Sequence, residues 1–265
     1  MSTTDPHTPV AAGSPATWRP GLRSWLVLTV CEAKMVVRDT AGLVVPVVLP
    51  LLILVMSAGP AADQPVTGGY TALDVYVLPL VLTIVLGTIG VVNMPSFLAY
   101  YRRTGILRRL SATPASPAMV LVAQVVVSAA QALIGLAGAL AVAFGAFGAH
   151  RPAHLGTAVA VYLLAMGAMY AVGMVVAALA PTPNAAVAIG LVAFFVLGAL
   201  GGMFGGVSTL PDPLVTVGEW LPFGATVAAL GAAWAGAPVD PTHLLALAVT
   251  VVLGAGVSAT FFRWT

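Results

Sequence analysis

Long apolar runs separated by short polar breaks dominate the chain. Two stretches without Asp, Glu, Lys or Arg, from Leu110 to His150 and from Pro152 to Pro211, each exceed the roughly 20 apolar residues that span a bilayer. The positions of the apolar runs, and of the helix-interrupting residues that separate them, predict an all-α membrane protein with six transmembrane helices. The predicted spans lie near residues 40–58, 74–98, 117–147, 155–180, 184–205 and 242–262.

The break between the fourth and fifth spans is a proline pair. Pro181 and Pro183 cannot continue a helix. Asn184 is suited to cap the helix that follows. The two spans are therefore predicted to form a tight hairpin.

Composition supports lipid as the main solvent of this chain. Of 265 residues, 60% are hydrophobic and 7% are charged, with a mean hydropathy of +1.05, whereas soluble domains carry roughly 25% charged residues. The net charge of +2 is too small to indicate a nucleic-acid partner. Cys31 is the only cysteine, so neither an intrachain disulfide nor a cysteine-based metal site is expected.

Basic residues predict the orientation in the membrane. Nine of the ten fall on one side of the predicted spans, namely Arg19, Arg23, Lys34, Arg38, Arg102, Arg103, Arg108, Arg109 and Arg263. Only Arg151 falls on the other. Because cytoplasmic loops carry the excess of Lys and Arg, we expect a multi-pass protein of the cell (inner) membrane with both termini in the cytoplasm.

The first residues do not resemble a secretory signal, which would place basic residues just before a short apolar core. Residues 1–17 are rich in Pro, Ser and Thr, and the first membrane-length apolar run begins only near Thr40. We expect an uncleaved, disordered cytoplasmic tail over 1–17 and one transmembrane domain over 18–265.

Residues 18–39 predict an amphipathic helix rather than a span. At 100° per residue, Trp25, Val30 and Val37 share an apolar arc, while Lys34 and Arg38 lie on another. Such a helix lies in the plane of the headgroups. The alternative is an extension of the first span, which would require the basic residues to be buried or to snorkel.

The loop between the second and third spans, residues 97–117, is long enough to transmit force. From Tyr100 to Leu110, apolar and basic residues alternate at helical spacing, which predicts a short helix lying against the membrane. Thr113 and Pro114 supply its stop. On periodicity alone, the arginines are equally explained by membrane topology, with nothing bound to them.

The run of two arginine pairs around Thr-Gly-Ile-Leu, followed by Leu-Ser-Ala-Thr-Pro-Ala-Ser-Pro, resembles the loop motif of ABC type-2 transporter permeases. In that family the loop is a coupling helix that docks in a groove of an ATPase subunit. The residues that the resemblance assigns to this contact are Tyr100, Tyr101, Arg102, Arg103, Gly105, Leu107, Arg108, Arg109 and Leu110.

The resemblance extends over nearly the whole chain from about Trp18. The glycines from Gly201 to Gly206 and the Leu-Pro pairs at Leu210 and Leu221 match a re-entrant outer segment before the last span. Departures exist: family members often have an acidic residue where this chain has Tyr100 and Tyr101, and usually Thr-Leu where it has Ile106 and Leu107. The missing carboxylate bears on the detailed ATPase contact and not on the role of the loop.

The chain is not expected to hydrolyse ATP. A Walker motif needs Gly-Lys-Ser/Thr, and the sole lysine, Lys34, lies between Ala33 and Met35. ATP and Mg are therefore expected to bind to separate ATPase subunits. We expect no cofactor and no catalytic residue in this chain itself. The resemblance also implies a second permease half, identical or similar.

Polar and aromatic residues within the spans give candidates for a substrate path. Asn93, Met94, Phe194 and Phe195 lie on the two spans that line the cavity in the family. On the third span a stripe of polar and small residues contains Gln124 and Gln131, for which close helix packing is the alternative to a substrate path. The G-x-x-x-G pairs from Gly201 to Gly206 likewise predict packing, with a hinge as the second interpretation.

No charge lies in the middle of a predicted span, which argues against proton-coupled transport. Trp220, Trp234 and Trp264 are predicted to be interfacial anchors. His150 and His154 flank an outer loop, but an exposed pair without further ligands does not predict a metal site.

Together these features predict the permease subunit of an ABC exporter, and the resemblance favours the drug-resistance branch, which moves a lipophilic drug, natural product or lipid. The alternative is a membrane-embedded enzyme or an assembly scaffold. Enzymes need a nucleophile with a base, or a carboxylate and histidine cluster, at one depth, whereas the spans supply isolated Ser, Thr, Gln and Asn.

Overall fold

The computed structural model describes residues 21–106 and 117–261, and this part of the chain is almost entirely helical. Its helices are α1 (Leu22–Arg38), α2 (Thr40–Ala62), α3 (Leu73–Arg103), α4 (Pro117–Phe147), α5 (Leu155–Leu179), α6 (Pro183–Leu200), α7 (Asp212–Trp220), α8 (Pro222–Ala235) and α9 (Pro241–Phe261). A two-stranded antiparallel hairpin, β1 (Pro65–Thr67) and β2 (Tyr70–Thr71), joins α2 to α3.

Six of these helices, α2, α3, α4, α5, α6 and α9, are long and apolar enough to cross a membrane, among the residues that the structure describes. The prediction of an all-α membrane protein with about six spans is thus confirmed. α3 is the central helix. In its most apolar 18-residue segment 72% of the residues are buried, against 22% in the corresponding segments of α6 and α9. The outer helices therefore leave their apolar faces for lipid.

The bundle has two ends, which differ in structure. α2 runs from the end where α1 lies, here named the α1 end, to the end where the β-hairpin lies, here named the hairpin end. α3 returns to the α1 end, α4 runs out again, and α5 returns beside it. The α5–α6 turn therefore lies at the α1 end, whereas α7 and α8 lie at the hairpin end, where Trp234 contacts the loop after α4.

α3 is longer and less regular than predicted. It contains two π-helical segments, Leu73–Val77 and Thr88–Asn93. The second is followed by Pro95, which has no N–H to donate to the preceding turn. Glycines on α5 and α6 let those helices approach the backbone here, since a Cβ at Gly190 would lie 2.5 Å from the carbonyl oxygen of Val91.

The end of α6 at the hairpin end of the bundle differs from the prediction. The helix ends at Leu200, where the sequence predicted a span to residue 205, because Gly202 and Gly206 have φ of 83° and 84° and belong to a turn. Gly205 and Gly206 therefore do not form helical G-x-x-x-G contacts. Beyond this turn, α7 and α8 meet at Leu221 with a bend of 86°.

Candidate functional site

A cavity of about 600 Å³ lies between α2, α3 and α6, and we name it the central cavity. Its walls are mainly aliphatic and aromatic. Asn93, Phe194 and Phe195, three residues of the predicted substrate path, line it. Phe204, from the turn after α6, stacks on Phe195 with ring centroids 6.2 Å apart. An apolar ligand therefore has aromatic surfaces to contact in this space.

The other predicted path residues lie elsewhere. Met94 is fully buried in the core, and Gln124 and Gln131 are buried on α4. None of the three lines the central cavity, although Gln131 lies directly behind two of its wall residues, Gly42 and Asn93. Their stripe packs against neighbouring helices, and the packing alternative for α4 fits this position better than a substrate path. Among described residues, the Oε1 atom of Gln124 is buried without a hydrogen-bond partner.

A buried polar cluster supports one wall of the central cavity. The side-chain amides of Asn93 and Gln131 both donate to the carbonyl oxygen of Gly42, each at 2.7 Å. This carbonyl is available because the residue four positions later is Pro46, which lacks the N–H that would close the helical turn. Pro46 thus leaves a carbonyl acceptor on α2 through which this helix is hydrogen-bonded to α3 and α4.

The central cavity continues toward the α1 end. A second space of about 350 Å³, here named the inner groove, is lined by Met35, Asp39, Ser96, Phe97, Tyr100, Pro183, Asn184 and Val187. Asp39, Ser96 and Val187 line both spaces. The shared residues show that the two spaces are adjacent, one at the α1 end and the other in the middle of the bundle.

Tyr101 ties the end of α3 to α1. Its phenol O–H donates to Oε2 of Glu32 at 2.5 Å, and both side chains are buried. Burial raises the pKa of the Glu32 carboxyl above its ordinary value, although the bond from Tyr101 opposes the shift. Glu32 thus places a carboxyl group against Tyr101, one of the two tyrosines that stand where family members often have an acidic residue. Tyr100 remains exposed.

The two arginines that follow have different surroundings. The guanidinium of Arg102 donates to the carbonyl oxygen of Ala180, which follows the last residue of α5, a position where a positive charge is favourable. Arg103 is exposed. Of this predicted ATPase-contacting pair, Arg102 is directed into the chain, and Arg103 remains on the surface.

The predicted short helix from Tyr100 to Leu110 is not a single helix. Tyr100 belongs to α3, which ends at Arg103, and Gly105 has a φ of 68°, a conformation that interrupts a helix and suits glycine. The assigned residues Leu107, Arg108, Arg109 and Leu110 lie outside the described residues. Within the described part, the loop therefore begins with a turn and not with a continuous helix.

A polar cluster at the hairpin end was missed by the sequence analysis. The fully buried carboxylate of Asp74 accepts from the backbone N–H of Thr71 and of His150, at 2.9 and 2.7 Å. It also lies 2.9 Å from Nδ1 of His150. Trp234 donates its indole N–H to the carbonyl oxygen of His150 at 2.9 Å and is buried, so its predicted role as an interfacial anchor is wrong.

One signal in the sequence was available for this cluster. Asp74 is an acidic residue at the start of a long apolar run, and a carboxylate at such a position needs hydrogen-bond donors when it is buried. Its partner His150 is 76 residues away, and no periodicity connects the two positions.

Comparison with known proteins agrees with this architecture. A family model described as "ABC-2 type transporter" matches residues 23–233, which include α2 to α7 and nearly all of α1 and α8. A search of curated proteins found no match. Because the family model covers most of the chain, the resemblance noted in the sequence is confirmed: this chain belongs to the ABC-2 type transporter family and is a multi-pass membrane permease subunit of an ABC transporter.

Proposed function

We propose that this permease exports lipophilic compounds across the cytoplasmic membrane, powered by a separate ATPase that acts on the α1 end. The observation that carries the proposal is the adjacency of the inner groove and the central cavity, which share three lining residues and together form the proposed path. Its aliphatic and aromatic walls suit an apolar substrate. A drug, a natural product or a lipid fits this class.

The orientation follows from charge. In the described part of the chain, Arg23, Lys34, Arg38, Arg102 and Arg103 lie at the α1 end, whereas Arg151 lies at the hairpin end. The positive-inside rule therefore puts the α1 end in the cytoplasm, where ATP is available. In this orientation the inner groove admits substrate from the cytoplasm or the inner leaflet.

The contacts at the α1 end give a route for force. A push on the loop after α3 reaches α1 through the Tyr101–Glu32 hydrogen bond and the α5–α6 turn through the Arg102–Ala180 hydrogen bond. The loop acts as the coupling element. ATP and Mg bind to the partner ATPase, and this chain acts as a permease and not as an enzyme, with a second permease half closing the path.

Two further elements have membrane roles in this proposal. α1 exposes the apolar side chains of Leu22, Leu26 and Val30, which is typical of a helix lying among the headgroups. The bent α7–α8 pair acts as a re-entrant outer segment, because its 86° bend returns the chain to the hairpin end. The outer exit of the path then lies between this segment and the turn after α6.

Co-purification and transport test the proposal. The chain extracted in mild detergent should retain an ATPase, and vesicles holding the complex should export a lipophilic dye only with ATP and Mg. Arg103→Ala should weaken ATPase retention, because this side chain is on the surface. Arg102→Ala, whose guanidinium is engaged inside the chain, should retain the ATPase but export less per ATP.

Two results would contradict the proposal. The first is a chain that never retains an ATPase under any mild extraction. The second is export that continues without ATP, since the energy would then come from another source.

A further inference from the structure

The transport path has an unbalanced charge. Among the described residues that line the inner groove and the central cavity, Asp39 is the only charged one. We infer that the path selects lipophilic cations, with the carboxylate of Asp39 as the charge-selecting group and the phenylalanines as the apolar and π-electron surface. This inference rests on the proposed export function and adds the charge class of the substrate.

The position of Asp39 suits this role. It joins α1 to α2 and lines both spaces, so a compound that moves from the groove to the cavity passes its carboxylate. Within the described residues, no Lys or Arg side chain forms an ion pair with it. The charge therefore remains available to a ligand.

The carboxylate is only partly used by the protein. Oδ1 accepts from the backbone N–H of Gly42 at 3.2 Å, as an N-cap of α2. Asp39 is exposed, so its carboxylate is hydrated before a ligand binds. The protein therefore does not bear the desolvation cost of a buried, unpaired charge. A carboxylate oxygen has further lone pairs to accept from an ammonium or to face a delocalised cation.

The aromatic side chains complete the site. Phe195 pairs with Phe194 at 5.4 Å between ring centroids and stacks on Phe204, and all three line the central cavity. A cation over an aromatic face is attracted by the ring quadrupole. A neutral compound gains only apolar contact here, and an anion meets both the carboxylate and the negative ring faces.

N-capping alone is the competing explanation for Asp39, and one substitution separates the two roles. Asparagine is as good an N-cap as aspartate, so Asp39→Asn keeps the helix start and removes the charge. Asp240→Asn is the matched control, because the Oδ1 atom of Asp240 accepts from the N–H of Thr242 at 2.8 Å near the start of α9, away from the path.

The test is equilibrium binding to the purified full-length chain in detergent. The probes are tetraphenylphosphonium, neutral triphenylphosphine oxide and anionic tetraphenylborate. The wild-type protein should bind the cation most tightly. Asp39→Asn should weaken cation binding about tenfold without changing affinity for the neutral probe, and Asp240→Asn should change neither.

A second measurement needs no variant. Raising the salt from about 0.05 M to about 0.5 M should weaken binding of the cation and leave the neutral probe unaffected, because salt screens exposed charges. The inference is overturned if Asp39→Asn binds the cation like the wild type, if tetraphenylborate binds as tightly as the cation, or if the cation shows no saturable binding. ATP-driven export of the neutral probe reports separately on the proposed function.

Discussion

The two ends of the bundle differ in how their helices are held. At the hairpin end, the buried carboxylate of Asp74 gathers hydrogen bonds from Thr71 and His150, and Trp234 adds a bond to the same loop. At the α1 end, the described contacts between elements include isolated bonds such as Tyr101–Glu32, beside an open groove. We therefore expect the hairpin end to be the stiffer of the two and the α1 end to be the easier to displace.

The difference shows where energy can enter. Elements with few buried contacts are displaced at a lower free-energy cost than tightly bonded ones, so a conformational change is expected to begin at the α1 end. The α1 end also has the basic surface that the resemblance assigns to the ATPase contact. This expected difference between the ends agrees with the proposal that force is applied at the α1 end.

The largest expected effect is at the hairpin end. Asp74→Ala removes the acceptor that orders this cluster and should lower the free energy of unfolding by about 3 kcal/mol. Denaturant titration in detergent, followed by circular dichroism, measures the loss. Asp63→Ala, at an exposed residue after α2, should change stability by less than about 0.5 kcal/mol. Equal losses in the two variants would refute a rigid hairpin end.

A smaller effect is expected in the middle of the bundle. A Cβ at Gly42 would lie 2.7 Å from Oδ2 of Asp39 and 2.8 Å from Oδ1 of Asn93. Gly42→Ala should therefore displace both side chains and cost about 2 kcal/mol. Gly59→Ala on the same helix, where nothing lies within 4 Å of the added Cβ, should be neutral or stabilising by up to about 1 kcal/mol. The unfolding midpoint of Gly42→Ala should fall below that of the wild type, whereas the midpoint of Gly59→Ala should stay equal to it or rise.

At the α1 end, Tyr101→Phe leaves the buried Glu32 without its donor and should cost about 1 to 2 kcal/mol. Because this bond joins α3 to α1, ATP-driven export should fall more than stability does. Tyr100→Phe, at the exposed neighbour, is the control. If the two variants exported equally well, the Tyr101–Glu32 bond would have no role in coupling.

The smallest effect is a pH dependence at the same contact. Burial raises the pKa of Glu32 above its ordinary value of 4.5, so its contribution to stability is fully present below that value and is lost as pH rises through the raised pKa. Between about pH 4 and about pH 8, wild-type protein should lose stability relative to Glu32→Gln. The group that acts on the Glu32 carboxyl by hydrogen bonding is the phenol of Tyr101. A difference that is constant with pH would contradict the assigned burial.

The sequence predicted the parts of this fold that lipid imposes. Membrane-length apolar runs are required for helices in a bilayer. Phe194 and Phe195, which the sequence analysis proposed for a substrate path, line the central cavity, and their contact with a substrate stays a prediction. Local turn chemistry was less visible, since α6 ends at Leu200 where the apolar run continues to Gly205.

Long-range polar contacts were not predictable from pattern. Arg102 and Ala180 are 78 positions apart, and the packing that joins them is set by close approach between α3, α5 and α6. The free carbonyl of Gly42 is a partial exception, because Pro46 four positions later predicts it from the sequence. The sequence does not predict which side-chain amides donate to that carbonyl.

Topology of the α1 end is the most direct test of the central claim that an ATPase drives the bundle there. In a Cys31→Ser background, Arg103→Cys and Arg151→Cys place one thiol at each end of the bundle. A membrane-impermeant maleimide should label the Arg103→Cys protein in inside-out vesicles and the Arg151→Cys protein in intact cells. Labelling of the Arg103→Cys protein from outside intact cells would contradict the account.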